Sequence, residues 1–272
     1  METNNIKADY HLHSCFSFDS KETPENVVLE GINRGFTHIS MTDHHDIKCL
    51  EYPEDTVFDE KEYFHEIGKL KERYKDKIHI NAGIEIGLQP QLVEYYRHYF
   101  EKHQFDFIIG SVHVMNGRDP YLKNVFKGKR DQEVYRAYLE AVLENVRLHD
   151  EYHVLGHLDY VVRYGNDMDK NYNVEKDFDL IDSILKTIIE KGKGIEINSA
   201  GIRKGLKGPH PSIEIIRRYK ELGGEILTIG SDAHIASDVG SGFSVIRDIL
   251  MALDIHYYTI FLDGNKKFYK VS

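Results

Sequence analysis

Cysteine is nearly missing from this sequence. Cys15 and Cys49 are the only two in 272 residues, so no disulfide framework is expected and a reducing compartment suits the chain. Long apolar runs are missing too. No stretch approaches the ~18 residues that cross a bilayer, and Met1 to Lys7 is polar, without the apolar segment of a signal peptide; the expectation is a cytoplasmic protein with no membrane partner. Basic charge is in deficit, with 35 Lys and Arg against 45 Asp and Glu and a net charge of −10, and there is no basic stripe. That balance disfavours attachment to nucleic acid or to an anionic surface. An anionic substrate would need a locally positive pocket, which bound divalent cations can create whatever the global sign. Low-complexity tracts are absent as well. With 41% hydrophobic residues the chain can bury a large core, and residues 1–272 are expected to form one domain of α/β-barrel size.

Histidine is what the chain has in excess, 16 residues of it. In Asp9-Tyr10-His11-Leu12-His13 the two imidazoles alternate along a strand, so both can face one ion while Leu12 packs the other way. His-Leu-His alone equally suits a strand with two polar residues facing solvent. The rest of the chain has to decide.

Apolar strand-like runs alternate with helical segments. Strands are expected over 6–13, 36–42, 78–86, 105–113, 154–159, 194–199 and 226–230, and helices from Thr23 to Gly35 and over about 59–75, 91–102, 131–148, 178–190 and 212–222. Thr23 followed by Pro24 opens the first helix as cap and first residue. The tail 257–271, with a turn at Asp263-Gly264-Asn265, reads as a hairpin capping the domain. Seven strand-helix units predict parallel strands with outer helices, in an open sheet or a closed barrel. His11, His13, His44, Glu85, His113, His157, Asp232 and His234 all fall where a strand hands over to its loop. A barrel gathers such ends on one face, whereas an open sheet spreads them along a line, so an α/β barrel is expected.

Each histidine alone reads as a surface or hydrogen-bonded residue, and His38, His65, His79, His98, His103, His149, His153, His210 and His256 are given no role. The set at the strand ends differs in combining imidazoles with carboxylates, ligand types for Zn, Mn or Fe, behind rigid apolar strands. Asp9, Asp43 and Asp159 flank it and could orient imidazoles or cap strand ends. Arg163 and Arg203, in the loops after the fifth and sixth strands, are candidates for gripping a phosphate by bidentate hydrogen bonds.

Asp-Tyr-His-Leu-His at 9–13, Thr-Asp-His at 42–44, Gly-Ile-Glu at 83–85, Ser-Val-His at 111–113, Gly-His-Leu-Asp at 156–159 and Ser-Asp-Ala-His at 231–234 together resemble the PHP (polymerase and histidinol phosphatase) superfamily. The size, Asp19 and Asp-Tyr-Val-Val-Arg at 159–163 look most like its histidinol-phosphate phosphatases. The resemblance implies a distorted seven-stranded, TIM-barrel-like (β/α) barrel holding three divalent ions (Zn, Mn or Fe), and hydrolysis of L-histidinol phosphate. It implies one ion on His11, His13, Glu85 and Asp232, a second on the shared Glu85 with His113 and His157, and a third on Asp19, His44 and His234. Asp19 departs from the superfamily pattern, where histidine is common. A hydroxide bridging two cations is then the expected nucleophile. Arg163 is placed at the phosphate, and Asp19 or His44 is a candidate to protonate the leaving alkoxide. Two rival readings stay open: a superfamily phosphatase or nuclease with another substrate, and a metal-binding protein without catalysis. The oligomeric state is not legible.

Overall fold

The computed structural model describes residues 6–50, 56–262 and 264–271. Its strands in chain order are β1 (Ala8–Leu12), β2 (His38–Met41), β3 (His44–His45), β4 (His79–Gly87), β5 (Phe107–Ser111), β6 (Val154–Leu155), β7 (Gly194–Asn198), β8 (Leu227–Gly230), β9 (Tyr257–Leu262) and β10 (Asn265–Lys270). The helices are α1 (Pro24–Asn33), α2 (Glu60–Tyr74), α3 (Val93–Lys102), α4 (Asp131–Leu148), α5 (Phe178–Glu190), α6 (Ala200–Arg203), α7 (Ile213–Glu221) and α8 (Phe243–Ala252).

Parallel strands run in the order β1-β2-β4-β5-β6-β7-β8, the expected seven, paired as in Ile39↔Ile80 and Glu85↔Ile109, with a register shift between β1 and β2 beyond Asp9. The two edges meet through a single bridge, Leu12↔Ala233, with the Asp232 amide donating to the His11 carbonyl at 2.8 Å. The barrel is therefore nearly closed, and all strand C-termini share one face. β1 and β5 are buried at every position, as strands covered on both sides must be. The outer helices turn one apolar stripe inward, Ile181, Ile184, Leu185 and Ile188 in the case of α5.

Local chemistry sets several boundaries. Thr23 caps α1, its side chain accepting from the Asn26 amide with Pro24 at the first position, and the chain leaves the helix through Gly35 at φ +75°. The second strand was expected to reach residue 42, but it breaks after Met41. There the Thr42 hydroxyl accepts the Leu12 amide at 3.0 Å in place of a carbonyl, and the chain resumes as the short β3 against β4. The fifth strand, expected over 154–159, keeps only Val154 and Leu155. Beyond it the His157 amide donates to the Glu196 side-chain carboxylate at 3.0 Å instead of to a backbone carbonyl, and a 3₁₀ turn, Tyr160–Tyr164, follows. Helices α6 and α8 were not anticipated.

The β9–β10 hairpin closes the opposite end of the barrel. Tyr10 Oη donates to the Phe261 carbonyl at 2.7 Å and accepts from its amide at 3.0 Å, while Asn81 Nδ2 donates to the same carbonyl at 2.7 Å. Of the expected turn, Asp263 lies outside the described residues, as do 51–55 in the long loop after β3.

Candidate active site

Glu85, near the end of β4 and fully buried, is the hub of the C-terminal face. Its Oε2 lies 3.1 Å from His11 Nε2, 3.6 Å from His13 Nε2 and 3.0 Å from His44 Nδ1. Its Oε1 lies 2.9 Å from His157 Nε2 and 3.2 Å from His113 Nε2, and also accepts from Ser111 Oγ. Asp232, held at φ +55° after β8, approaches His13 Nε2 to 3.4 Å. At the rim, Asp19 Oδ2 lies 3.1 Å from His234 Nε2 and 3.8 Å from His44 Nε2. Every expected ligand thus converges on one place, although together they come from almost the whole length of the chain.

Among the described residues, three sets of donors each hold their ligand atoms within 4.8 Å of one another: His11, His13 and Glu85; His44, Glu85 and His113; and His13, His44 and His234. Compared with the expected partition, His44 lies with Glu85 and His113, and His13 approaches the rim set. His11 Nε2, His13 Nε2, His44 Nδ1 and Glu85 Oε2 are buried and have no hydrogen-bond partner. Such atoms are costly to bury unless something else engages them, and the mixed imidazole and carboxylate set suits Zn, Mn or Fe. The residues present therefore fit divalent ions. Electrostatics agree: burial, with His234 and His44 beside it, pushes His13 well below the usual imidazole range and keeps its lone pair available. Burial opposes charge on Glu85, yet His11, His113 and His44 outweigh it and hold the carboxylate ionised.

The three flanking aspartates divide between the two roles left open for them. Asp9 caps backbone, accepting from Ser231 N at 2.9 Å and Gly240 N at 2.8 Å. Asp159 binds the His210 ring and the Ser212 amide. Asp43 acts one group removed: it accepts from Ser17 Oγ at 2.8 Å, and Ser17 Oγ meets His13 Nδ1 at 3.0 Å. The carboxylates that touch ligand imidazoles directly are Glu196, 2.6 Å from His11 Nδ1, and Asp46, 2.9 Å from His113 Nδ1. Sequence reasoning missed both. A charged residue amid the apolar run Gly194-Ile-Glu-Ile-Asn198, and a second aspartate closing Asp43-His-His-Asp46, were the available signals.

Above the hub opens a cavity of about 470 Å³, lined by His44, His113, His157, Asp232 and His234, with Arg163, Arg203 and Lys204 on its wall. Arg163 is held flat, its guanidinium carbon 4.3 Å from the Tyr160 ring centre and 5.1 Å from that of Tyr164, with Nη1 3.5 Å from Asp232 Oδ2. Arg203 is largely committed elsewhere: it donates to the carbonyls of Ser231 at 2.8 Å and Asp232 at 2.9 Å, and Nε pairs with Asp238 at 3.0 Å.

The model of the PHP domain matches residues 9–200. The chain belongs to the PHP domain family. Among curated PHP relatives, a histidinol-phosphatase from Lactococcus lactis subsp. lactis is 34% identical over 96% of this chain and 98% of that protein. A probable histidinol-phosphatase from Clostridium acetobutylicum is 35% identical over 86% of this chain and 89% of its own length. The crystal structure of the Lactococcus lactis histidinol phosphate phosphatase, complexed with zinc, L-histidinol and phosphate, superposes with a TM-score of 0.86 at 32% identity, covering 96% of this PHP chain and 98% of that one.

Proposed function

We propose that this chain is a metal-dependent histidinol-phosphatase, releasing inorganic phosphate and L-histidinol from L-histidinol phosphate. The observation that carries the reading is the Glu85 hub. Buried, partnerless imidazole and carboxylate atoms open there into a cavity with a fixed arginine on its wall, in a chain whose PHP relatives are histidinol-phosphatases. Asp119, Phe18 and Tyr121 also line the cavity, a carboxylate and two aromatic rings suited to the ammonium and imidazole of histidinol.

We assign His11, His13, Glu85 and Asp232 to one ion, Glu85, His113 and His157 to a second, and Asp19, His44 and His234 to a third, with zinc first and manganese or iron as alternatives. Divalent ions supply Lewis acidity, making water nucleophilic at neutral pH and neutralising phosphoryl charge. The chain's own residues do the rest. Glu196 and Asp46 fix the imidazole tautomers, because each accepts from Nδ1 and leaves Nε2 as the lone-pair atom. Arg163, packed over the Tyr160 ring and donating to the Tyr164 hydroxyl, presents its remaining N–H groups to the phosphoryl oxygens. Arg203 spends three of its five donors on Asp238 and on the 231–232 carbonyls, which leaves two for a substrate in the cavity it lines. Asp19 and His44 line the cavity, where a proton donor to the leaving alkoxide must stand. Residues 1–272 act as one catalytic unit on a small phosphorylated substrate in the cytoplasm; among the described residues no helix is long and apolar enough to cross a membrane.

The test is phosphate release by zinc- or manganese-loaded protein from L-histidinol phosphate against nucleoside monophosphates, phosphotyrosine and p-nitrophenyl phosphate. A kcat/KM highest for histidinol phosphate is expected; turnover of another phosphomonoester with histidinol phosphate left intact would overturn it.

A further inference from the structure

The 3₁₀ turn after β6 carries more than Arg163. Tyr160, Arg163 and Tyr164 all line the central cavity, and they form one hydrogen-bonded chain: Arg163 Nε donates to Tyr164 Oη at 2.8 Å, and Tyr164 Oη donates to Tyr160 Oη at 3.1 Å. A cation at one end sets the direction of such a chain. Each oxygen accepts from the cation side and donates away from it, and each link polarises the next. The last donor is the Tyr160 hydroxyl, whose hydrogen meets no protein acceptor among the described residues. The Tyr160 ring is itself only 6% exposed and fixed on three sides: ring centroids 4.9 Å from His157 and 5.5 Å from His113, with the Arg163 guanidinium over its face. It is a rigid donor, polarised by an arginine, in the cavity assigned above to the phosphate ester.

We propose that Tyr160 is a catalytic residue whose hydroxyl donates a hydrogen bond to an oxygen of the transferring phosphoryl group, alongside the Arg163 guanidinium. The substrate oxygen completes the chain that begins at Arg163. Held by packing, the donor needs no reorganisation as charge shifts between the phosphoryl oxygens. It acts on the phosphoryl group and not on the leaving oxygen, because Tyr160 packs against Arg163, the residue assigned above to the phosphoryl oxygens.

The proposal rests on the phosphatase reading above and is tested with Tyr160→Phe, which keeps the ring and removes only the hydroxyl. Kinetics are measured on L-histidinol phosphate and on p-nitrophenyl phosphate, whose leaving group needs no proton, with inorganic phosphate affinity by calorimetry and metal content on the same samples. Expected are a fall in kcat/KM of roughly 10- to 100-fold on both substrates, weaker binding of inorganic phosphate, and unchanged metal content. Three outcomes would each overturn the assignment: a change under twofold, a loss confined to the alkyl phosphate, or a loss of metal alongside activity. If wild type releases phosphate from no substrate, the phosphatase reading fails, and the phosphate affinity of Tyr160→Phe against wild type still decides whether the hydroxyl contacts the anion.

Discussion

Glu196 stands on β7 while His11 stands on β1, with β8 between them, yet carboxylate and imidazole meet at 2.6 Å in the fully buried floor of the site. With His11 as a metal ligand through Nε2, as proposed, that contact would hold the proton on Nδ1 and so act on metal affinity without touching substrate. Glu196→Gln is expected to weaken zinc binding roughly 10- to 100-fold, read as zinc retained against a graded chelator; affinity equal to wild type would remove the orienting role. Arg163 gives the opposite signature. Its planar cation packs against the Tyr160 and Tyr164 rings and pairs with Asp232 at 3.5 Å, an ion-pair distance longer than a close hydrogen bond. Arg163→Ala should lower kcat and kcat/KM together, by about 2 to 4 kcal/mol or roughly 30- to 1000-fold, with full metal content. A rise in KM alone would mean that Arg163 binds only the ground state. Arg163→Lys should rescue little, since an ammonium neither stacks nor forks.

At the scale of elements, the strands end where side chains take over from the sheet. Thr42 replaces a carbonyl for Leu12, and Glu196 takes the amide of His157, so β2 and β6 stop earlier than their apolar patterns suggest and their loops turn inward with ligands on them. Strand β8 contributes the space these groups need. A Cβ built on Gly230 would lie 2.3 Å from Glu196 Oε1 and 2.4 Å from His11 Cβ, so only glycine lets β8 pass beside the pair. Gly230→Ala should therefore cost about 1 to 3 kcal/mol of stability and also weaken metal binding by displacing His11. Denaturation together with metal analysis checks both; a stable variant with wild-type metal content contradicts the close approach.

For the molecule as a whole, ligands from both sides of the singly bridged β1–β8 seam share one site, His11 and His13 against Asp232 and His234. Ions bound there engage only the folded barrel. Stripping them should abolish turnover and lower Tm on the order of 10 °C relative to protein saturated about a thousandfold above Kd, measured by calorimetry. A chelated protein with unchanged Tm and activity would refute a metal centre. Acid should act independently through His153, far from that site. This half-buried imidazole accepts from Ile108 N at 2.9 Å and stacks on Phe107, and burial, with Lys193 nearby, lowers it to about 4 from 6.5. The unfolded chain takes the proton first, so the contribution is complete above about pH 6.5 and is lost as pH falls through about 4. His153→Asn keeps an acceptor that does not titrate in this range. The stability difference between wild type and this variant should shrink by about 2 kcal/mol over that window, after allowing for solvent at the exposed edge. A difference independent of pH would show that His153 does not titrate as described.

The sequence by itself determined the alternation of strand and helix, the barrel face on which function sits, and the imidazoles and carboxylates that reach it. All of these are local: side-chain alternation within a strand, apolar periodicity, and a polar residue where an apolar run ends. Only the tertiary structure decided which of those groups are neighbours. Glu85 faces imidazoles from four other segments, Glu196 serves a histidine 185 residues away, and Asp46 rather than Asp159 reaches a ligand ring. Strand tilt and near-closure set those distances, and no local pattern encodes them. For the same reason Arg203, read from its loop as a phosphate ligand, has two of its donors drawn to the carbonyls of the 231–232 turn, whose position depends on where β8 meets β1, and a third to Asp238.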